Sequence, residues 1–378
     1  MKNRVIIYTT GLVTLIFWLF VTGCSTSVDE DISNKNGFQF CVQIPKALEV
    51  ETKASLGGGD EKIDIKDAWI VQYASPGNNL LHCVYINSGF TTENTGYTVT
   101  ITTKNDQFSL VSSSFYVILN GGAELLKDFE SVSDNSKEAL LKKICAAPSN
   151  VDGSPAITSV PILLTAGPTE YTATGEAEKV IVISRVYRAF AKLSLSVTFP
   201  TIANDIFVVE SATVTNIPKN MALFAGGGSK TPYPELSTMY TSSISIKDIV
   251  VNGGKQSFYM PENIRGTGSS LTFQGKNQVA NGPDGNLNGC TYLTIKGKYY
   301  YDKTQAPGGG YIQTPIDVEY RFYLGSNLTN DYNIRRDHHY NLTVNITGAN
   351  SADLRVTITN GNVAVFDKVQ EITNEVDF

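Results

Sequence analysis

Apolar and polar residues alternate with a period of two along most of this chain, and that pattern confines it to sheets. Phe38, Phe40, Val42 and Ile44 share one parity and Gln39, Cys41 and Gln43 the other, which marks a strand with one face on a core; Pro45 ends it. Similar runs follow at residues 63–73, 80–86, 97–103 and 115–119, with Gly, Asn, Ser or Asp between them. In the second half Ile316, Val318, Tyr320, Phe322 and Leu324 alternate with Asp317, Glu319, Arg321 and Tyr323. His338, Tyr340, Leu342, Val344 and Ile346 alternate with His339, Asn341, Thr343, Asn345 and Thr347, and Leu354, Val356 and Ile358 repeat the device. Strands solvated on one face belong to antiparallel sheets. Gly-rich stretches at residues 226–228 and 308–310, together with 281–289, read as surface loops.

Two segments depart from simple alternation. Leu125, Leu126, Phe129, Val132, Leu140, Leu141 and Ile144 have helical spacing, broken near residues 131–136, and predict one helix or two short ones covering a sheet. Strands resume at 160–164. A long run then places Ile181, Ile183, Tyr187, Ala189, Ala191, Leu193, Leu195, Val197 and Phe199 on one parity, with Arg185 as the one charge on that face. About twenty residues exceed an ordinary strand, so the run is expected to bend or pass between domains near Arg185. The prediction is an all-β chain of two antiparallel β-sandwiches in tandem, the first (37–184) with a helical insert and the second spanning 185–378.

Lys2 and Arg4 precede an apolar stretch from Val5 to Val21 that closes on Thr22-Gly23-Cys24. A basic start, a short apolar segment and small residues make a secretory signal over 1–23, shorter than the roughly 20 apolar residues a membrane span needs. A cysteine just past the cleavage point resembles a bacterial lipoprotein box, which implies lipid on Cys24 and a tether to a membrane. Residues 24–36 are small and then acidic, too polar to fold alone. They resemble the acidic segment that marks lipoproteins for the cell surface in the Bacteroidetes phylum. Without Lys2 and Arg4 the mature chain has 28 basic against 36 acidic residues, a formal charge of −8, so nucleic acid is not an expected partner. Besides Cys24 there are Cys41, Cys83, Cys145 and Cys290, widely and irregularly spaced with no C-x-x-C unit. Buried thiols are the favoured expectation, with one bridge allowed by an oxidising compartment.

Catalytic and metal signatures do not emerge. Adjacent His338 and His339 point to opposite faces of a strand and cannot chelate one ion from that element, and His82 sits among apolar neighbours. Gly226-Gly227-Gly228-Ser229-Lys230-Thr231 has serine where a phosphate loop needs the glycine before lysine. Asp284-Gly285-Asn286-Leu287-Asn288-Gly289 matches the first half of a calcium loop, but Ile295 stands where a bidentate Glu belongs, so an Asn/Gly turn is the expectation. Tyr292, Tyr299, Tyr300, Tyr301, Tyr320 and Tyr323 could stack sugars, although tyrosine is also simply a good strand former. No catalytic residue, cofactor or metal is predicted.

Three short blocks carry a resemblance. Phe258-Tyr259-Met260-Pro261-Glu262-Asn263-Ile264-Arg265-Gly266, then Phe322-Tyr323-Leu324-Gly325-Ser326-Asn327 running into Asn333-Ile334-Arg335-Arg336-Asp337-His338-His339-Tyr340, and the strand Arg185-Val186-Tyr187-Arg188-Ala189-Phe190-Ala191-Lys192-Leu193 resemble the Bacteroidales fimbrillins, the lipoprotein precursors of type V pili. The resemblance implies two transthyretin-like sandwiches, outer-membrane surface exposure as a lipoprotein, and incorporation into a fimbria that mediates adhesion. It further implies a protease that removes the lipid with the first strand, leaving a groove that a strand of the next subunit fills. On this chain the departing residues would be Phe38, Phe40, Val42 and Ile44, and the entering strand would lie around Val363, Val365 and Phe366. Partners would be other pilus subunits, the outer membrane through Cys24, and host or bacterial surface ligands. Family cleavage follows an arginine, whereas the matching place here holds Lys53 before Ala54, which puts processing in question. A surface glycan-binding lipoprotein of a polysaccharide-uptake system is the alternative.

Overall fold

The computed structural model describes residues 37–44, 63–93, 98–104, 106–150, 152–156, 162–174, 179–199, 205–224, 234–251, 255–301, 314–349, 351–360 and 363–365. Its first half contains β1 (Gly37–Gln43), β2 (Ala68–Ala74), β3 (Leu80–Ile86), β4 (Phe90–Thr92), β5 (Thr98–Thr102), β6 (Ser113–Leu119), α1 (Lys137–Leu141), β7 (Ile144–Ala146), β8 (Leu164–Tyr171), β9 (Lys179–Arg185) and β10 (Tyr187–Arg188). A four-stranded sheet ordered β4-β5-β1-β9 faces a five-stranded sheet ordered β10-β8-β6-β2-β3. Between them lies a core of Phe38, Phe40, Val42, Ile70, Val99, Ile101, Phe115, Val117 and Leu164, among others.

β2 and β6 are buried on both faces, and their sequences, AWIVQYA and SSFYVIL, are correspondingly continuous in apolar residues. The outer face of their sheet, through Trp69, Val71, Tyr73, Tyr116 and Ile118, packs under Leu126, Phe129 and Leu140. The expected helical insert is thus present as a cover, but only α1 is helical, capped by the Ser136 hydroxyl accepting from Ala139 N–H at 3.1 Å. Leu126 and Phe129 are carried by turns, and Val132 and Ile144 are exposed.

The second half contains β11 (Phe190–Thr198), β12 (Ile206–Thr215), β13 (Asn220–Ala222), β14 (Ile244–Ser245), α2 (Lys247–Val251), β15 (Lys255–Pro261), α3 (Phe273–Lys276), β16 (Tyr292–Tyr300), β17 (Ile316–Tyr323), β18 (His338–Gly348), β19 (Ser351–Asn360) and β20 (Val363–Val365). Sheets ordered β15-β11-β18-β19-β20 and β14-β12-β16-β17 enclose a second core built on Leu193, Leu195, Phe258, Leu293, Ile295, Phe322, Tyr340 and Leu342. The fold is all-β, two sandwiches in tandem, as expected. Among the described residues pairing is antiparallel except for one parallel pair in each sandwich, β1 with β9 and β11 with β18. A small sheet of β7 and β13 ties the halves, and Met221, Leu223 and Phe224 of the second half enter the apolar cluster on the first half's outer face.

The long run around Arg185 does pass between sandwiches: β9 belongs to one sheet of the first, β10 pairs with β8 in the other, and β11 enters the second. Its single parity is corrected, however. Val182 and Ser184 of β9, with Val186 just after it, face inward, whereas Ile181 (52% exposed) and Ile183 of β9, with Tyr187 of β10, face out. The phase changes at residues 187–189, where the chain switches sheets, so a parity continued across the switch assigns β9 to the wrong face.

Cys83, Cys145 and Cys290 are free thiols, the last buried and the first two half-buried. Burial pushes them up to about 12, about 11 and about 12, the range of inert thiols. His82 bonds the Ser109 hydroxyl, His339 the Ser194 hydroxyl and His338 the Arg336 carbonyl, so each histidine is placed by a local partner. Asn286 accepts from Asn288 N–H in an Asx turn, and Asp284 and Gly285 have φ of 51° and 70°, which these residue types tolerate. Tyr299, Tyr320 and Tyr323 are buried, leaving no continuous tyrosine platform among the described residues.

Lys276 is unusual in being 1% exposed. Its ammonium donates to the Asn327 carbonyl at 2.6 Å and lies 5.2 Å from the Tyr332 ring centroid. Burial, opposed by Asp331 and Cys290, lowers it to about 7. A base depressed in the folded state is protonated in the unfolded chain alone between that value and the ordinary lysine value, so its contribution to stability rises with pH across that window and is flat below it. Denaturant melts from pH 6 to pH 10 are therefore expected to show this rise in the wild type and to lose it in Lys276→Met.

Candidate functional site

The residues singled out as a detachable plug sit in the middle of a sheet. β1 pairs antiparallel with β5, from Gln39 opposite Thr102 to Gln43 opposite Thr98, and parallel with β9, from Gly37 opposite Lys179 to Gln43 opposite Arg185. The Phe38 carbonyl also accepts the Thr103 hydroxyl at 2.6 Å, and the Gln43 carbonyl accepts Val186 N–H at 3.0 Å. β1 is thus a central strand of its sheet and not an edge strand. Taking it out would leave two rows of backbone groups unpaired, on β5 and on β9, with an apolar slot between them.

Alternation puts all four predicted residues into that slot. Phe38, Phe40, Val42 and Ile44 are buried, and Phe40 is wholly inaccessible. Phe40 meets Phe108 and Phe115 at centroid distances of 5.4 and 5.2 Å, nearly edge-on, while Phe38 meets Phe115 at 5.2 Å and Tyr171 at 5.4 Å. Such geometries are favoured by the ring quadrupole and add to area burial. The lining residues Phe108, Phe115, Tyr171 and Val182 were not anticipated. Phe115 is legible as part of a strand, but Phe108 lies in the connection between β5 and β6, residues 103–112, with no periodicity to flag it.

A replacement strand would have to satisfy both walls. Because β5 and β9 run in opposite directions, any occupant is antiparallel to one and parallel to the other, and only a strand running as β1 does reproduces the present register. Val363 and Val365 fall in β20, which hydrogen-bonds to β19 at the edge of the second sandwich's sheet, opposite Asn360 and Ile358. Cys24, Lys53, Ala54 and Phe366 lie outside the described residues.

The three blocks that carry the resemblance converge at the joint between the sandwiches. Asn263 and Ile334 exchange backbone hydrogen bonds at 2.8 Å. The Asn333 side chain accepts from Arg265 and Gly266 N–H, and the Asn263 side chain accepts from Arg265 Nε at 2.6 Å while donating to Gly289 and Thr291. Arg336 is buried; its Nε pairs with Glu262 at 3.2 Å and its two terminal nitrogens donate to the carbonyls of Leu223 and Ala222, just after and within β13. Arg188 pairs with Asp337 at 3.2 Å. Burial raises the Asp337 carboxyl above the usual range, and Arg188 opposes that rise. These residues hold strands and sandwiches together.

Fold and groove define a double β-sandwich protein whose first strand is a central, deeply inserted element. The model of a domain of unknown function, DUF4906, matches residues 258–344, a span that includes two of the three blocks. No curated protein matches the chain. Among solved structures it is similar to a candidate cell adhesion protein from Bacteroides eggerthii, with a TM-score of 0.51 and 16% identity, covering 88% of this chain and 98% of that one. A candidate cell adhesion protein from Parabacteroides distasonis gives a TM-score of 0.51 at 11% identity, covering 90% and 98%. The tip fimbrial protein Mfa3 from Porphyromonas gingivalis aligns at 0.48 and 11% identity, over 85% and 99%. At these identities the first two show a shared fold.

Proposed function

We propose that this chain is a structural subunit of a cell-surface fimbria, made as a lipoprotein through Cys24 and joined to its neighbours by strand exchange in the β1 groove. The observation that carries this reading is the insertion of Phe38, Phe40, Val42 and Ile44 as a central strand of the first sandwich. A strand from another copy would relieve the exposed slot with main-chain hydrogen bonds on both sides and alternate side chains inward. The fold shared with candidate cell adhesion proteins, and the resemblance of the three blocks to fimbrillins, support the same reading. Cleavage after Lys53 would release the lipid with β1, the N-terminal sandwich would then start near Ala54, and residues around Val363, Val365 and Phe366 would be the entering strand. An uncut chain would keep its lipid and act as an anchor.

Treatment of the purified precursor with a trypsin-like protease tests this. The expected product begins at Ala54 by N-terminal sequencing and builds ladders of oligomers on denaturing gels. A product that stays monomeric and is retarded in polysaccharide gels would overturn the proposal in favour of a glycan binder.

A further inference from the structure

The end of β1 and the joint between the sandwiches are connected by a very short stretch of chain. The Gln43 carbonyl holds Val186 N–H at 3.0 Å, and Val186 is buried in the same core as Ile44. Two residues on, in β10, Arg188 donates from both its backbone N–H and its guanidinium to the same Asp337 oxygen, each at 3.2 Å. Ala189 N–H is held by the Leu163 carbonyl, and Asp337 N–H returns to the Phe190 carbonyl at 2.9 Å. Asp337 leads directly into β18, a central strand of the second sandwich, and follows Arg336, which grips Ala222, Leu223 and Glu262.

We propose that residues 186–190 form a relay that couples occupancy of the β1 position to closure of the joint between the two sandwiches. Among the described residues β9 is an edge strand whose one ladder partner in its sheet is β1, so a vacant groove leaves β9 without a neighbour in that sheet and frees Val186 N–H just after it. The Arg188–Asp337 contact then loses the Gln43–Val186 anchor on one side and is presented by the pairing of β10 with β8 alone. Filling the groove with any strand that offers a carbonyl at the Gln43 position restores it. The joint thereby reports whether the first sandwich is complete. The relay is independent of whether a protease ever removes β1, because native-state opening of β1 suffices to exercise it.

Coupling between two sites is reciprocal, which gives a test with two arms on the full chain. In the first, Phe40→Ala loosens β1, and hydrogen exchange is followed by mass spectrometry at Asp337, in the second sandwich. In the second, Asp337→Asn weakens the joint without touching the groove. Asparagine tolerates the left-handed φ of 56° at this position, so the backbone is kept. The expected result is an exchange rate raised about tenfold at Asp337 in the first arm and at Phe40, Val42 and Val186 in the second, with β16 and β17 unchanged in both. Acceleration confined to the mutated sandwich in either arm would overturn the proposal. So would a uniform rise that includes β16 and β17, since that is simple global destabilisation.

Discussion

Phe40→Asp is expected to unfold the first sandwich while the second remains folded, seen as a new low-temperature transition in calorimetry. Phe40 is fully buried and in contact with Phe108 and Phe115. Truncating a core phenylalanine costs about 3–5 kcal/mol by itself. Aspartate adds an ionised or protonated carboxyl with no partner, a further cost of several kcal/mol. The buried cations among the described residues, Arg265, Lys276 and Arg336, all belong to the second half and cannot neutralise it. The sum approaches the roughly 5–15 kcal/mol that holds a domain together. A melting profile identical to wild type would mean that β1 is dispensable to the precursor, and the groove would then be no basis for assembly.

Arg336→Ala is expected to be the most damaging single change outside the two cores, lowering stability by about 3–5 kcal/mol in urea titrations. The substitution strands the Glu262 carboxylate, which is itself mostly buried, and removes the donors to the carbonyls of Ala222 and Leu223. Much of that loss reflects the uncompensated charge, so Arg336→Met combined with Glu262→Gln should recover a substantial part of it. A double-mutant cycle separates the pair from its surroundings. Equal losses in Arg336→Ala and in the double variant would show that the carbonyl bonds, and not the ion pair, dominate. By contrast, the exposed network of Lys296, Lys298, Asp317, Glu319 and Arg321 on the outer face of β16 and β17 should tolerate single substitutions, because solvent screens it.

The alternation of Phe38, Phe40, Val42 and Ile44 was enough to place β1 and its inward face, since a half-buried strand has only two faces and the sequence fills one of them. The same holds for β17 and β18. The segment at 179–186 was not legible in this way, because Val180, Ile181, Val182 and Ile183 are apolar on both parities and neither face is marked. The helical spacing of Leu125, Leu126 and Phe129 correctly announced side chains that share one buried face, yet compact turns present them as well as a helix would. The short blocks of Pro261–Gly266 and Asn333–Tyr340 stood out as words without visible purpose. Their purpose is relational: Arg336 has meaning only beside Glu262 and the backbone that follows the start of β13, more than a hundred residues earlier for the latter.

Local sequence thus determined which stretches are strands, which face of most of them is apolar and that the chain divides into two sandwiches, because these follow from side-chain period and turn chemistry alone. Tertiary structure decided that β1 is central between β5 and β9, that β9 turns Val182 inward and Ile181 outward, and that Arg188, Asp337 and Arg336 meet at one joint. Strand order and ion pairing depend on which distant segments come to lie side by side, and period-two patterning is the same for every neighbour a strand could have.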